Sequence, residues 1–147
     1  MDDERIAILI VDDSRSDAQL LRRWLSGSRV VRDVHMVHDG REAVDFLRSA
    51  KGLDPALRPR LVLLDVNLRR MTGFEVLAEI KSQPELASLC VVVLSGSTFD
   101  EDRRRAQELR ADLYLTKPFD ADGFAALVAA IDDLWQRLAA SGQESAS

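Results

Sequence analysis

The chain has 147 residues, is 46% hydrophobic and 31% charged, and carries a net charge of −5. That length predicts one domain with a real core, and the acidic balance argues against a nucleic-acid surface, which is usually basic. No apolar run reaches the length of a membrane span, Met1-Asp2-Asp3-Glu4 is unlike a secretory signal, and the single Cys90 leaves no intramolecular disulfide, so a cytoplasmic protein is expected.

Ile6 to Val11 is short, apolar and β-branched, the pattern of a fully buried strand. Ser14 with Asp17 opens a helix in which Ala18, Leu21 and Leu25 recur at helical spacing, and Gly27 ends it. A second strand over Asp33 to His38 is more polar and belongs at a sheet edge. Asp39 with Glu42 caps a helix that turns Ala43, Phe46 and Leu47 inward. Lys51 to Arg60, with Pro55 and Pro59, reads as a loop.

The third strand is Leu61 to Asp65. Thr72 and Glu75 form a capping box for a helix through Phe74, Leu77 and Ile80 that stops before Pro84. Leu89 to Ser95 is the fourth strand, Ser97 or Thr98 caps a helix carrying Arg103-Arg104-Arg105, and Asp112 to Leu115 is the fifth strand. The last helix, from about Asp120, places Phe124, Leu127, Val128, Ile131, Trp135 and Leu138 on one stripe. The core spans about residues 5–139, and 140–147 read as a frayed tail.

Five strands alternating with five helices predict a single α/β domain, a doubly wound parallel sheet with helices on both faces. In the flavodoxin-like order 2-1-3-4-5, ligands bind outside the carboxyl ends of the first and third strands. Asp12-Asp13 and Asp65 follow those two strands, Ser95 ends the fourth, and Lys117 follows the fifth. Three carboxylates held together repel one another, and Mg²⁺, a hard cation with a preference for oxygen ligands, is the expected answer. Asp12, Asp13, Asp65 and the Asn67 backbone carbonyl are the candidate ligands. Asp65 as a nucleophile would form an aspartyl phosphate, with Lys117 and the Ser95 hydroxyl on the phosphoryl oxygens. A cis Lys117–Pro118 bond is expected to turn the lysine into the site.

These residues resemble the receiver domain of two-component response regulators. The matching elements are Asp12-Asp13, Asp65, Ser95 and the Lys117-Pro118 step, in order over about residues 5–139. The resemblance implies phosphotransfer to Asp65 from a histidine kinase or histidine phosphotransfer protein, with Ser95 and Tyr114 as the switch pair. It implies a phosphoacceptor rather than an enzyme, beyond self-phosphorylation and autodephosphorylation. Asp65-Val66-Asn67-Leu68, the proline-bearing loop before the third strand and Asp133-Leu134-Trp135 are similar to the stand-alone regulators that partner bacterial phytochromes. Signalling would leave through the fourth helix, fifth strand and last helix toward a protein target, and the last helix and fifth strand would also serve a homodimer.

Two positions depart from the family pattern: Arg69 stands where a proline is usual, and Thr72 where an aspartate is. Arg69-Arg70 beside the acidic pocket bears on metal affinity or partner choice. The rival readings are a receiver-like adaptor that works without phosphorylation and a small Mg²⁺-dependent phosphatase, which would need an acid where Asn67 stands. His35 and His38 read as edge residues without a metal role, Arg103 to Arg105 as a solvated helix face, and Trp24 and Trp135 as packing residues on a shared sheet face.

Overall fold

The computed structural model describes residues 5–96 and 100–140. Strands and helices alternate as β1 (Ile6–Val11), α1 (Arg15–Leu25), β2 (Val31–Val37), α2 (Gly40–Ser49), β3 (Pro59–Asp65), α3 (Gly73–Ser82), β4 (Cys90–Ser95), α4 (Asp100–Glu108), β5 (Leu113–Thr116) and α5 (Ala121–Ala140). All neighbouring strands pair in parallel, in the order β2-β1-β3-β4-β5.

The period-2 alternation of strand side chains divides the core into two layers. Leu9, Val11, Val62, Leu64, Val91 and Val93 face α2 and α3, where they meet Val44, Leu47, Phe74, Leu77 and Ile80. Ile8, Ile10, Leu61, Leu63, Val92 and Leu94 face α1 and α5, against Leu21, Leu25, Phe124, Leu127 and Ile131. Each fully buried aliphatic side chain contributes about 1.5–3 kcal/mol relative to exposure. The sheet is therefore rigid, and it holds the loops at its carboxyl edge in place.

The starts of α1, α2 and α3 follow the expected capping chemistry. Ser14 accepts from the Asp17 N–H at 3.2 Å and Asp39 from the Glu42 N–H at 2.8 Å. Thr72 and Glu75 exchange reciprocal bonds of 3.2 and 2.8 Å. The expected Ser97 or Thr98 cap lies outside the described residues, as does the tail beyond Ala140.

Several boundaries differ from expectation. β2 begins at Val31 rather than Asp33, because Ser28 Oγ accepts from both the Val30 and Val31 N–H groups while donating to Asp132 on α5 at 2.5 Å. β3 begins at Pro59, which pairs with Ala7 at the strand's first residue, where a missing N–H is tolerated. β5 runs one residue further, to Thr116, which pairs with Ser95. The loop before β3 contains two short 3₁₀ turns, at Ala50–Gly52 and Pro55–Leu57. On α5, Leu134 is buried whereas Trp135 is half-buried, with the Arg60 guanidinium 5.3 Å from its ring centre. Trp24 stacks on Phe124 at 5.6 Å, so α1 and α5 do pack together on one face.

Candidate metal and phosphoryl site

Four strands deliver the site to one edge of the sheet. Asp12 follows β1, Asp65 ends β3, Ser95 ends β4 and Lys117 follows β5. Local turns orient the two inner carboxylates. Asp12 Oδ1 accepts from the Ser14 N–H at 2.9 Å, and Asp65 Oδ1 accepts from the Asn67 N–H at 3.0 Å. Such turns use the short aspartate side chain to satisfy backbone two residues on. The Lys117 N–H donates to the Ser95 carbonyl at 2.8 Å, which carries the β4–β5 ladder one step into the site.

The second oxygen of each inner carboxylate turns toward Lys117. Its Nζ lies 2.9 Å from Asp65 Oδ2, 3.1 Å from Asp12 Oδ2 and 3.3 Å from Asp17 Oδ2. The Lys117–Pro118 bond is trans, since no peptide bond among the described residues is cis. The expected cis turn is unnecessary: the lysine reaches both aspartates from the ordinary backbone geometry, which is the lower-energy one.

The charges do not balance. Burial raises the Asp12 carboxyl above its ordinary range and outweighs the Ser14 hydrogen bond and the Lys117 charge, which pull it down. Burial alone would lower the Lys117 ammonium, but the hydrogen bond and charge of Asp65, then the charge of Asp12, hold it well above the usual lysine value. One cation thus faces several carboxylates. Oxygens of Asp12, Asp13 and Asp65 all lie within 4.8 Å of one another, close enough to share one ion. Asp12 Oδ2 is buried and receives no hydrogen bond; Lys117 is within ion-pair distance but is not directed at it as a donor. A buried oxygen in that state is what a divalent cation would satisfy. Asn67, the expected fourth ligand through its carbonyl, sits in the turn that Asp65 closes.

Ser95 is fully buried at the end of β4. Tyr114 is buried one strand over, with the Arg103 guanidinium 4.9 Å from its ring centre, so Arg103 is a partner to an aromatic ring and not only a solvated charge. His35 bonds the Leu57 carbonyl at 2.8 Å and its ring lies 5.0 Å from that of Phe46, a structural role.

Three contributors carry no local sequence signal for this site, Asp17, His38 and Gly73, while Arg69 is one the sequence already sets beside the acidic pocket. Asp17, read as a cap, also pairs with Lys117. His38 Nδ1 bonds the Asp12 carbonyl at 3.0 Å and so helps to hold the β1 terminus. Arg69 pairs with Asp13 at 3.7 Å. Gly73 brings the start of α3 against the end of β3, where an added Cβ would lie 2.4 Å from the Asp65 carbonyl oxygen. Only a residue without a side chain allows that approach.

Comparison with known proteins agrees with this geometry. The family described as "Response regulator receiver domain" matches residues 8–131. Response regulator Rcp1 of Synechocystis sp. is 37% identical over 128 residues, covering 87% of each chain. The crystal structure of the phosphorylated cyanobacterial phytochrome response regulator RcpA superposes with a TM-score of 0.78 at 37% identity, over 90% of this chain and 94% of that one. The Mn²⁺-bound form of Rcp1 superposes with a TM-score of 0.75 at 36% identity, over 88% of this chain and 94% of that one. The acidic edge at the strand termini, the 2-1-3-4-5 sheet and these relatives lead to one conclusion: this chain belongs to the response regulator receiver family of two-component signalling.

Proposed function

We propose that Asp65 is the phosphoacceptor and that Asp12, Asp13, Asp65 and the Asn67 carbonyl hold Mg²⁺. The observation that carries this reading is the unbalanced cluster itself, with a buried Asp12 oxygen lacking a hydrogen bond beside two further carboxylates. Bound Mg²⁺ would supply positive charge to the phosphoryl oxygens as well as to the aspartates. An Asp65 carboxylate oxygen attacks phosphorus in a phosphohistidine donor; the P–O bond forms as the P–N bond breaks. The imidazole nitrogen leaves with the electron pair and takes a proton from solvent. Lys117, already 2.9 Å from Asp65 Oδ2, is placed to transfer its contact to a phosphoryl oxygen. The Ser95 hydroxyl takes another, and movement of Ser95 is followed by Tyr114.

The donor is a histidine kinase or histidine phosphotransfer protein. The likeness to RcpA, a phytochrome response regulator, favours a bacteriophytochrome-type kinase. A groove of about 400 Å³ beside the site includes Asp17, Leu20, Lys117 and Phe119, and Phe119 is 89% exposed. Phe119 and the partly exposed Leu20 give the groove apolar surface that a protein donor can cover. Output leaves through α4, β5 and α5 toward a protein target, and α5 with β5 is the face for a homodimer. A cytoplasmic location fits such partners, and no described helix is long and apolar enough to cross a membrane.

Incubation with acetyl phosphate, read by intact mass, tests the chemistry. A Mg²⁺-dependent gain of one phosphoryl group, absent in Asp65→Asn, is expected. No adduct, with rapid phosphate release also excluded, overturns the reading in favour of a phosphorylation-independent adaptor. Phe119→Ala is expected to slow transfer from a phosphorylated kinase about tenfold, the scale of one interface anchor, while leaving acetyl phosphate labelling unchanged.

A further inference from the structure

The loop that carries Arg69 and Arg70 delivers two cations to two different carboxylates. Arg70 adopts a left-handed backbone, with φ of 68°, and the Met71 N–H donates to the Arg69 carbonyl at 2.6 Å. The Gly73 N–H returns to the Val66 carbonyl at 2.9 Å, so the loop is short and closed. From this turn Arg70 reaches Asp39, at the cap of α2, at 3.8 Å. Arg69 reaches Asp13, which follows β1, at 3.7 Å.

Two cations therefore divide the acidic edge. Lys117 serves the inner carboxylates, Asp12 and Asp65, and is partly buried among them. Arg69 serves the outer one, Asp13, and is 83% exposed. An ion pair that exposed is weak and mobile. A divalent ion can displace it, but only by breaking the pair and then sitting beside a guanidinium of like charge.

We propose that Arg69 is a built-in competitor for the divalent cation, occupying Asp13 in the metal-free protein and lowering the metal affinity of the site. This rests on the assignment of Asp12, Asp13 and Asp65 as metal ligands. Arg69 is a positioning and tuning residue here: it acts through Asp13, the carboxylate it pairs with. Because phosphorylation of Asp65 is read as metal-dependent, Arg69 would set the Mg²⁺ concentration at which the switch can be loaded.

Mn²⁺ binding tests this without any phosphoryl transfer, since free Mn²⁺ is counted directly by electron paramagnetic resonance. Wild type, Arg69→Ala, Arg69→Gln and Arg69→Lys are titrated at low salt. Arg69→Ala and Arg69→Gln are expected to bind Mn²⁺ about three- to tenfold more tightly than wild type, the scale of one exposed pair plus like-charge repulsion. Arg69→Lys keeps the charge and is expected to stay close to wild type. In about 1 M KCl the Debye length falls to about 3 Å, and the difference between Arg69→Ala and wild type should shrink toward zero. Equal affinities for all four proteins overturn the proposal. So does weaker binding in Arg69→Ala, or tighter binding in Arg69→Lys equal to that of Arg69→Ala, because charge would then not be the cause. A wild type that binds no Mn²⁺ removes the metal-site assignment itself, and this inference with it.

Discussion

Two lysines, one at each edge of the sheet, solve the same problem with opposite outcomes. Lys81, in the last turn of α3, donates to the Ala87 and Leu89 carbonyls at 3.3 and 3.1 Å and lies 3.7 Å from Asp112. Asp112 in turn accepts from the Val91 N–H at 2.8 Å. One cation meets one carboxylate, and its remaining donors meet backbone carbonyls that the α3–β4 loop leaves open. The adjacent Cys90 thiol is pushed up to about 12 by burial and the nearby Asp112 charge, which keeps it protonated and unreactive. Lys117 instead faces Asp12, Asp65 and Asp17, with Asp13 alongside. The Lys81 cluster is complete when the chain folds. The Lys117 cluster is not, and the missing positive charge is what makes it a site. Burial does not separate them, since Lys81 is 11% exposed and Lys117 24%. The ratio of charges does.

The sharpest way to break this contrast is to remove each lysine in turn. Lys81→Ala takes the cation from Asp112, which keeps its Val91 N–H bond, and takes the donor from two carbonyls, and should lower unfolding free energy by about 2–3 kcal/mol in urea titrations. Mg²⁺ should recover none of that loss, and phosphoryl incorporation per folded molecule should stay unchanged. A loss well below 1 kcal/mol on that scale, or recovery by Mg²⁺, would end the view of Lys81 as purely structural. Lys117→Ala should cost a comparable amount, about 2–3 kcal/mol in EDTA, because it leaves the buried Asp12 and Asp65 carboxylates without their cation, and protonation of Asp12 limits the penalty. Its stability should then rise with Mg²⁺ by more than that of wild type, since a more negative site binds the cation better and binding to the folded state adds stability. Incorporation from acetyl phosphate should fall sharply. If Mg²⁺ stabilises both proteins equally, the two charges are not competing for the same carboxylates.

What the sequence disclosed follows the same division between local and distant causes. Most strands were legible because they are short apolar runs closing on a polar residue, as in Leu61 to Asp65, and the caps because Ser14, Asp39 and Thr72 act within three residues. The convergence of Asp12, Asp13, Asp65 and Lys117 was legible only through topology, since parallel strands must bring their carboxyl ends to one edge. Contacts across loops were not. Asp17 and His38 read locally as a cap and an edge residue, yet each completes its bonding with a residue just past the end of a strand distant in sequence. The start of β2 depends on Ser28 reaching Asp132, far along the chain, and nothing near Val31 announces it. Gly73 is needed because of a backbone that passes within a bond length or two of where its side chain would be, a steric fact with no periodicity.

The smallest expected effect sharpens the contrast most, because it has a sign. Asp12 is buried, and burial raises its folded-state carboxyl above the ordinary value of 3.8. Between that value and the raised one the folded protein holds more protons than the unfolded chain. Its stability contribution therefore falls as pH rises through this window, and the full penalty is present above it. Asp12→Asn removes the penalty, so at about pH 7 the variant should melt a few degrees higher than wild type in EDTA, and the gain should fade as both are acidified through the window. Lys117 works at the other end: its raised value gives stability that is complete below 10.5 and lost as pH climbs through the folded value, so wild type should also weaken in strong alkali. Excess Mg²⁺ supplies the decisive comparison. On the proposed assignment the cation would neutralise Asp12 in wild type and have one ligand fewer in the variant, so the order of melting temperatures should close or reverse. A variant that keeps its full advantage in Mg²⁺ would mean that the buried Asp12 oxygen is not part of the metal site, and the balance of charge at that edge would have to be assigned to Asp13 and Asp65 alone.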